Sequence, residues 1–470
     1  MDMPTRFSLS KRHKLILGWV LVIGLLGWSG FRMARRLADK PYEDFQAFYL
    51  AAEAAQKGND PYRAGTEMYI YLPMLAAWMA PLSKLTIAQA AWIWFSLTLV
   101  ATLGSLWLIW RALCHRLLWK PSPGDGILAL GITLLIWQTQ CRWEFEQGQT
   151  DWLTLFALSV AFYFLDNRSP QTLPLRGRVV AENKLTSILN PMIVGLALGF
   201  AINIKYLPIV IVLYLAIRQR WVCVGWSIVG TILWGIAPAL VYGWDRNLIF
   251  LGEGLGGLAK LVGIEIPGQA GYVFPLTYDR SITIPSVWGR VAEAAGLGMM
   301  FTAGMTVVSA AVVFAIGWLI YRTHQARLFV DRGGVKEQQT EVPGWVTFEW
   351  SFMLVLMIVF SPQSQMRHFF LLLPLVLSAA GLMICGSTLQ IRCLALAGLL
   401  IGIVGSIGAD IFTLFGARET WKYISGMSVC ALLLGYLTLM AGFREMKLRY
   451  AASRMEADEE IEATTIHLAA

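Results

Sequence analysis

The sequence predicts an all-α, polytopic membrane protein, and three observations carry that prediction. Of its 470 residues, 57% are hydrophobic and only 14% are charged, against about 25% charged in a soluble domain. Apolar runs long enough for a hydrocarbon core of roughly 30 Å recur along nearly the whole chain. The basic residues, which give a net charge of +8, fall in short clusters between those runs. A nucleic-acid-binding unit would gather them on one polar domain instead.

The predicted spans are 14–32, 88–110, 124–140, 149–166, 187–204, 206–218, 221–243, 298–321, 345–361, 367–386, 390–413 and 423–443, about twelve crossings by hydropathy. Lys11, Arg12, His13 and Lys14 precede the first run and Arg32, Arg35 and Arg36 follow it, with no small-residue cleavage site. An uncleaved first helix fits better than a signal peptide. The run from Asn190 to Arg220 is interrupted by Lys205 and Pro208, so two helices are expected to meet there; helices broken at a polar residue usually face a cavity.

With the N-terminus inside, the alternation puts Arg111, Arg116, Lys120, Arg168, Arg176, Arg178, Arg218, Arg220, Arg322, Arg327, Arg392, Arg444 and Lys447 on the cytoplasmic side, where Lys and Arg are enriched. The expectation is a multi-pass protein of the bacterial plasma (inner) membrane with both termini cytoplasmic. Residues 1–13 form the cytoplasmic N-terminus, 14–443 the transmembrane domain and 444–470 a cytoplasmic tail, acidic from Glu456 to Glu462.

Two extracytoplasmic loops, about 33–87 and 244–297, are too long to be mere connectors and should hold structure of their own. In the first, Tyr42 to Gln56 reads as an amphipathic helix with Phe45, Phe48, Tyr49 and Ala52 at helical spacing, ended by Gly58 and Asn59-Asp60-Pro61, and such a helix is expected on the outer membrane surface. In the second, an amphipathic stretch from Leu248 to Val262 is followed by Pro267, Gly268, Pro275 and Pro285, read as a cavity roof.

The six cysteines form no C-x-x-C pair and read as packing residues. Gly252-x-Gly254-x-x-Gly257 matches a dinucleotide fingerprint in letters but has no preceding strand; close helix packing is the better reading. There is no Walker loop, H-E-x-x-H or D-x-D motif, and Asn167-Arg168-Ser169 falls on the cytoplasmic side, which excludes glycosylation there.

What remains is a polar set that the topology brings to the outer face: Asp44, Arg142, Glu144, Glu146, Gln147, Gln149, Asp151, Lys205, Arg280, Arg290, Arg367 and His368. Carboxylates beside cations suit transfer with an anionic leaving group. A carboxylate takes the proton of an attacking hydroxyl, and Lys or Arg stabilises charge growing on a departing phosphate. Outside the cytoplasm, a sugar donor has to be lipid-linked.

The residues that carry a closer resemblance are Asp44-Phe45-x-x-Phe48-Tyr49-x-Ala51-Ala52, Gly58, Pro61-Tyr62, Tyr71-Leu72-Pro73 and Pro81-Leu82, then Gly148-Gln149, Lys205-x-x-Pro208, Arg280-Ser281 to Arg290, Ser361-Pro362 and His368. In this order they resemble the membrane glycosyltransferases of family 87, the DUF2029 group, which includes polyprenol-phosphate-mannose-dependent α-1,2-mannosyltransferases. The likeness runs from Asp44 to about Pro374. It departs at Leu72, where a first Pro is frequent, at Asp151, where Asn often follows Gly-Gln, and at Met366-Arg367, where an aromatic residue and a second His are common.

The resemblance implies a GT-C-like fold and an inverting hexosyltransferase. Its donor would be a polyprenyl-phosphate sugar, mannose by family likeness, and its acceptor an extracytoplasmic glycolipid or glycan. Asp44 is then the base. Lys205, Arg367 and His368, with Arg290 and Gln149, are the candidates for holding the donor; Glu144, Glu146, Asp151 and Arg280 are secondary candidates. Membrane lipids are the other expected partners, and nucleic acid is not. No metal is required, because Lys and Arg can neutralise a monophosphate; Glu144-x-Glu146 is where Mg²⁺ would bind if one did. The alternative is a transporter or flippase of lipid-linked glycans, since broken helices also build transport sites. Against it, hydropathy shows no inverted repeat, and the polar groups gather at one face instead of the midplane.

Overall fold

The computed structural model of the chain describes residues 9–39, 43–64, 69–165, 184–261, 275–324 and 345–469. In chain order its α-helices are α1 (Lys11–Asp39), α2 (Glu43–Gln56), α3 (Pro73–Met79), α4 (Ile87–Arg116), α5 (Pro123–Ile136), α6 (Gln138–Gln147), α7 (Asp151–Leu165), α8 (Lys184–Ile204), α9 (Ile209–Ile217) and α10 (Trp221–Ile236). They continue with α11 (Ala239–Tyr242), α12 (Trp244–Leu261), α13 (Ile284–Ala294), α14 (Met299–Thr323), α15 (Trp345–Val359), α16 (Leu373–Cys385), α17 (Leu389–Thr413), α18 (Arg418–Tyr423) and α19 (Gly426–Ala469). Short 3₁₀ turns occupy Pro61–Arg63, Ala80–Lys84 and Met366–Leu372. No strand occurs among the described residues. The basic stretches 166–183 and 325–344, with Asn167-Arg168-Ser169, and the loop through Pro267 and Gly268 lie outside the described residues.

Each of the twelve predicted spans falls on a helix. Among the described residues, eight helical stretches, including Lys11–Arg36, Met299–Thr323 and Gly426–Ser453, are long and apolar enough to cross a membrane, and α5, α7 and α15 are shorter apolar helices. The twelfth is α9, whose nine residues rise only about 14 Å. Its direction is nevertheless fixed by its neighbours. Gly195 of α8 lies against Trp226 of α10, and Gly199 against Gly230, so α8 and α10 run parallel at backbone contact. The stretch 205–220 between them must therefore travel back through the bundle.

Side chains facing outward from α1 (Val20, Ile23), α10 (Val222, Ile232) and α14 (Val307, Val312) are apolar and exposed, a surface that hydrocarbon solvates and water does not. Along α16, by contrast, every residue from Leu373 to Leu382 is buried, which makes this helix the axis of the bundle.

Three differences from the sequence reading have simple causes. Helix α1 continues to Asp39, because nothing between Phe31 and Lys40 breaks it before Pro41. Helix α19 continues through the tail to Ala469, a stretch of Ala, Glu, Arg and Met without Gly or Pro. The first-loop helix α2 is not laid on a lipid surface: Phe45, Phe48, Ala51, Ala52 and Ala55 are buried against α3, the Ala80–Lys84 turn and α4. Its apolar stripe is covered by protein. Helix α12 completes that loop's packing. A Cβ on Gly254 would stand 2.7 Å from the Tyr62 hydroxyl, so the glycine motif there is a helix contact.

Candidate active site

Asp44 sits in the first turn of α2, and the aromatic residues of that helix set its position. Phe45 packs on Trp94 with ring centroids 5.8 Å apart, and Phe48 meets Tyr71 edge-on at 5.1 Å. The Trp94 indole N–H donates to the Gly148 carbonyl at 2.9 Å, tying α2 and α4 to the turn between α6 and α7. Gly148 holds φ 64° and ψ 40°, the left-handed region that a glycine enters without a steric penalty. That turn ends α6 and brings Gln149 to Asp44.

Two other chain segments reach the Asp44 carboxylate, and a second ion pair stands in the same cluster. Asp44 Oδ2 accepts from the Arg367 guanidinium at 2.5 Å and from the Gln149 side-chain amide. The same guanidinium nitrogen donates to Gln147 Oε1 at 3.4 Å. Arg367 and His368 lie on the 3₁₀ turn Met366–Leu372 that leads into α16. Lys205, at the break between α8 and α9, donates to Asp151 Oδ1 at 2.6 Å, with side-chain exposures of 9% and 0%. One site residue that departs from the family pattern, Asp151, is thus the ion-pair partner of another, Lys205.

Burial is the largest single influence on the Lys205 ammonium and pulls it towards its neutral form, but the charge and hydrogen bond of Asp151 with the nearby Tyr71 and Glu144 together outweigh it, and the pKa is raised. Glu144 is fully buried, and one of its oxygens accepts the Trp152 N–H at 3.0 Å at the start of α7. Burial first, then the charge of Asp151, holds its carboxyl well above the usual range. The Tyr71 phenol is likewise raised, chiefly by burial.

Several polar atoms of this cluster are buried without a hydrogen-bond partner in the protein: Glu144 Oε2, Gln149 Oε1, Asp151 Oδ2, Gln363 Nε2, Ser364 Oγ, Arg367 Nε and His368 Nδ1. Buried polar groups are normally paired, so such a concentration marks a place built to receive polar matter. The described end of the second long loop, from residue 275, meets the cluster at Ser364. The Ile282 N–H donates to the Ser364 carbonyl at 2.9 Å, and the Thr283 hydroxyl caps α13 by accepting from the Ser286 N–H.

The remaining candidates stand elsewhere. Arg290 is buried on α13, with its guanidinium on the carbonyls of Ser281 at 2.9 Å and Tyr423 at 2.8 Å. Arg280 is exposed. Glu146 turns to the end of α1, pairing with Arg32 at 2.5 Å and Arg36 at 3.7 Å. Glu144 and Glu146 therefore face different partners, as residues two apart on a helix do, and no group of three or more His, Cys, Asp or Glu side chains that could hold a metal occurs among the described residues.

Sequence reading passed over two residues. Trp94 looks like any aromatic residue in an apolar run, and only its contacts set it apart from the lipid-facing Trp92. Glu349 lies in the apolar span 345–361 and accepts from Arg218 Nε at 3.0 Å, from Tyr214 at 2.5 Å and from Tyr321. An acid inside such a span is itself a signal that sequence alone provides.

Comparison with known proteins gives one match. The family model described as glycosyltransferase family 87 covers residues 69–362, more than half of the chain and including Glu144, Gln149, Asp151 and Lys205. No curated protein and no solved structure matches the chain.

Proposed function

The chain belongs to glycosyltransferase family 87, and on that footing we propose that it transfers a hexose, mannose by family likeness, from a polyprenyl-phosphate donor to a glycolipid or glycan acceptor on the extracytoplasmic face of the plasma membrane. The observation that carries this reading is the Asp44 cluster. A carboxylate that is 31% exposed accepts from the half-buried Arg367, and the buried Lys205 pairs with Asp151, two residues from the Gln149 that also donates to Asp44.

In the proposed reaction Asp44 takes the proton from the acceptor hydroxyl as that oxygen attacks the anomeric carbon. The bond from the anomeric carbon to the phosphate oxygen breaks, the configuration inverts, and the lipid phosphate leaves as the dianion. Lys205 and Arg367 face the charge that develops on it, and His368 offers a further buried nitrogen. Fixed donors of this kind act where charge grows in the transition state, and removing one typically lowers the rate about 10²- to 10³-fold.

The test is transfer by the purified protein in nanodiscs, given polyprenyl-phosphate [¹⁴C]mannose and envelope lipids. Label moving into a glycolipid, and that glycolipid one hexose lighter in cells without the gene, is the expected result. Flux of a lipid-linked glycan across the bilayer without sugar transfer would replace this reading with that of a transporter.

A further inference from the structure

Arg367 stands between the two halves of the proposed chemistry. One nitrogen of its fork is on Asp44 Oδ2 at 2.5 Å and reaches Gln147 Oε1 at 3.4 Å, while its Nε is buried without a partner. A guanidinium carries five N–H donors in a planar fork and can bridge two anions. Each cation of the cluster is matched by one carboxylate, Lys205 by Asp151 and Arg367 by Asp44. A lipid phosphate entering this site brings a third anion, and one of the two pairs has to give way or share.

The two pairs differ in how firmly they are held. Lys205 and Asp151 expose 9% and 0% of their side chains, whereas Arg367 and Asp44 expose 19% and 31%. Separating a fully desolvated pair leaves a charge without compensation, while a partly solvated pair exchanges partners at small cost. Asp44, moreover, keeps a second donor on the same oxygen, the Gln149 amide, and so stays in place when Arg367 turns away.

We infer that Arg367 is a positioning residue that holds Asp44 ion-paired until a lipid phosphate draws off its guanidinium, so that the carboxylate is released to an acceptor hydroxyl only after the donor has bound. Donor binding then precedes acceptor binding. The inference rests on the donor reading proposed above and adds to it an order of events.

The experiment measures how fast Asp44 is modified by a water-soluble carbodiimide with glycine ethyl ester, read by peptide mass spectrometry on the full chain in nanodiscs, with and without polyprenyl monophosphate. Native mass spectrometry reports in parallel whether that lipid is retained. With lipid retained, labelling of Asp44 is expected to rise at least about tenfold in the wild type. In Arg367→Gln it is fast without lipid, and in Arg367→Lys, which keeps the charge, it is slow again until lipid is added. Retained lipid with unchanged labelling, or slow labelling in Arg367→Gln, overturns the role given to Arg367 and leaves the donor reading standing. Failure of the wild type to retain the lipid overturns both, and the mass of the complex tells the two failures apart.

Discussion

Glu349 near one end of α15 and Asp44 near the other are both carboxylates facing an arginine, and they differ in how completely their surroundings answer them. Glu349 is 3% exposed, and its two oxygens accept from Arg218, Tyr214 and Tyr321. The groups about Asp44 are mutually paired too, yet seven buried polar atoms there have no partner. About 18 Å of helix rise separates Glu349 from Ser361 at the site end. A satisfied cluster in an apolar setting locks α9, α14 and α15 together; an unsatisfied one is prepared for a ligand. Charge within a span thus means two things in one molecule, and the hydrogen-bond census tells them apart.

The largest expected effect tests the locked end. Glu349→Ala strands Arg218 in the bundle, and removing one partner of a buried pair typically destabilises by about 3–5 kcal/mol. Thermal unfolding in detergent should show that loss. The fourfold change Glu349→Leu, Arg218→Met, Tyr214→Phe, Tyr321→Phe, which removes every polar group together, should recover most of it. Normal stability with lost transfer in Glu349→Ala would erase the distinction between the two ends.

Next comes the turn that aims the site. Gly148→Ala forces a Cβ into the left-handed region, worth about 1–2 kcal/mol, and displaces Gln149 and Asp151. The transfer rate is expected to fall more than the unfolding temperature does; equal fractional losses would make Gly148 a purely architectural residue.

The smallest effect concerns Glu144, whose folded-state pKa is raised by burial and by Asp151. A raised acid contributes stability that is fully present below the unfolded value of about 4.3 and is lost as pH rises through the folded value. Unfolding temperature should therefore fall as pH rises from the unfolded value towards the folded one in the wild type, and Glu144→Gln should remove the slope while leaving a neutral side chain in place. An unchanged slope would assign it to another group.

Much of this was legible in the residues themselves. Apolar run length located a helix at each predicted span, eight of the helical stretches among the described residues being long and apolar enough to cross a membrane, since only a continuous helix satisfies the backbone in hydrocarbon. Lys205 and Pro208 marked the break after the eighth helix, and of the candidate residues Asp44, Gln149 and Arg367 are in hydrogen-bond contact. Periodicity told which face of α2 is apolar but not what covers it, which is why a helix expected at the lipid surface is packed under the first loop. Pairings between distant segments, Lys205 with Asp151 and Glu146 with Arg32, depend on which helices become neighbours, and no local pattern encodes that. Arg290 was grouped with the site by topology and by the family resemblance, and its carbonyl partners on Ser281 and Tyr423 became visible only in three dimensions.

The central claim is that the partly exposed Asp44 is the base of the transfer. Its most direct measurement is the rate of hexose transfer by Asp44→Asn in nanodiscs, beside the wild type and with unfolding temperature recorded for both. The expected result is a fall of about 10²- to 10⁴-fold at unchanged stability. Transfer at the wild-type rate would contradict it and move the search to Glu144.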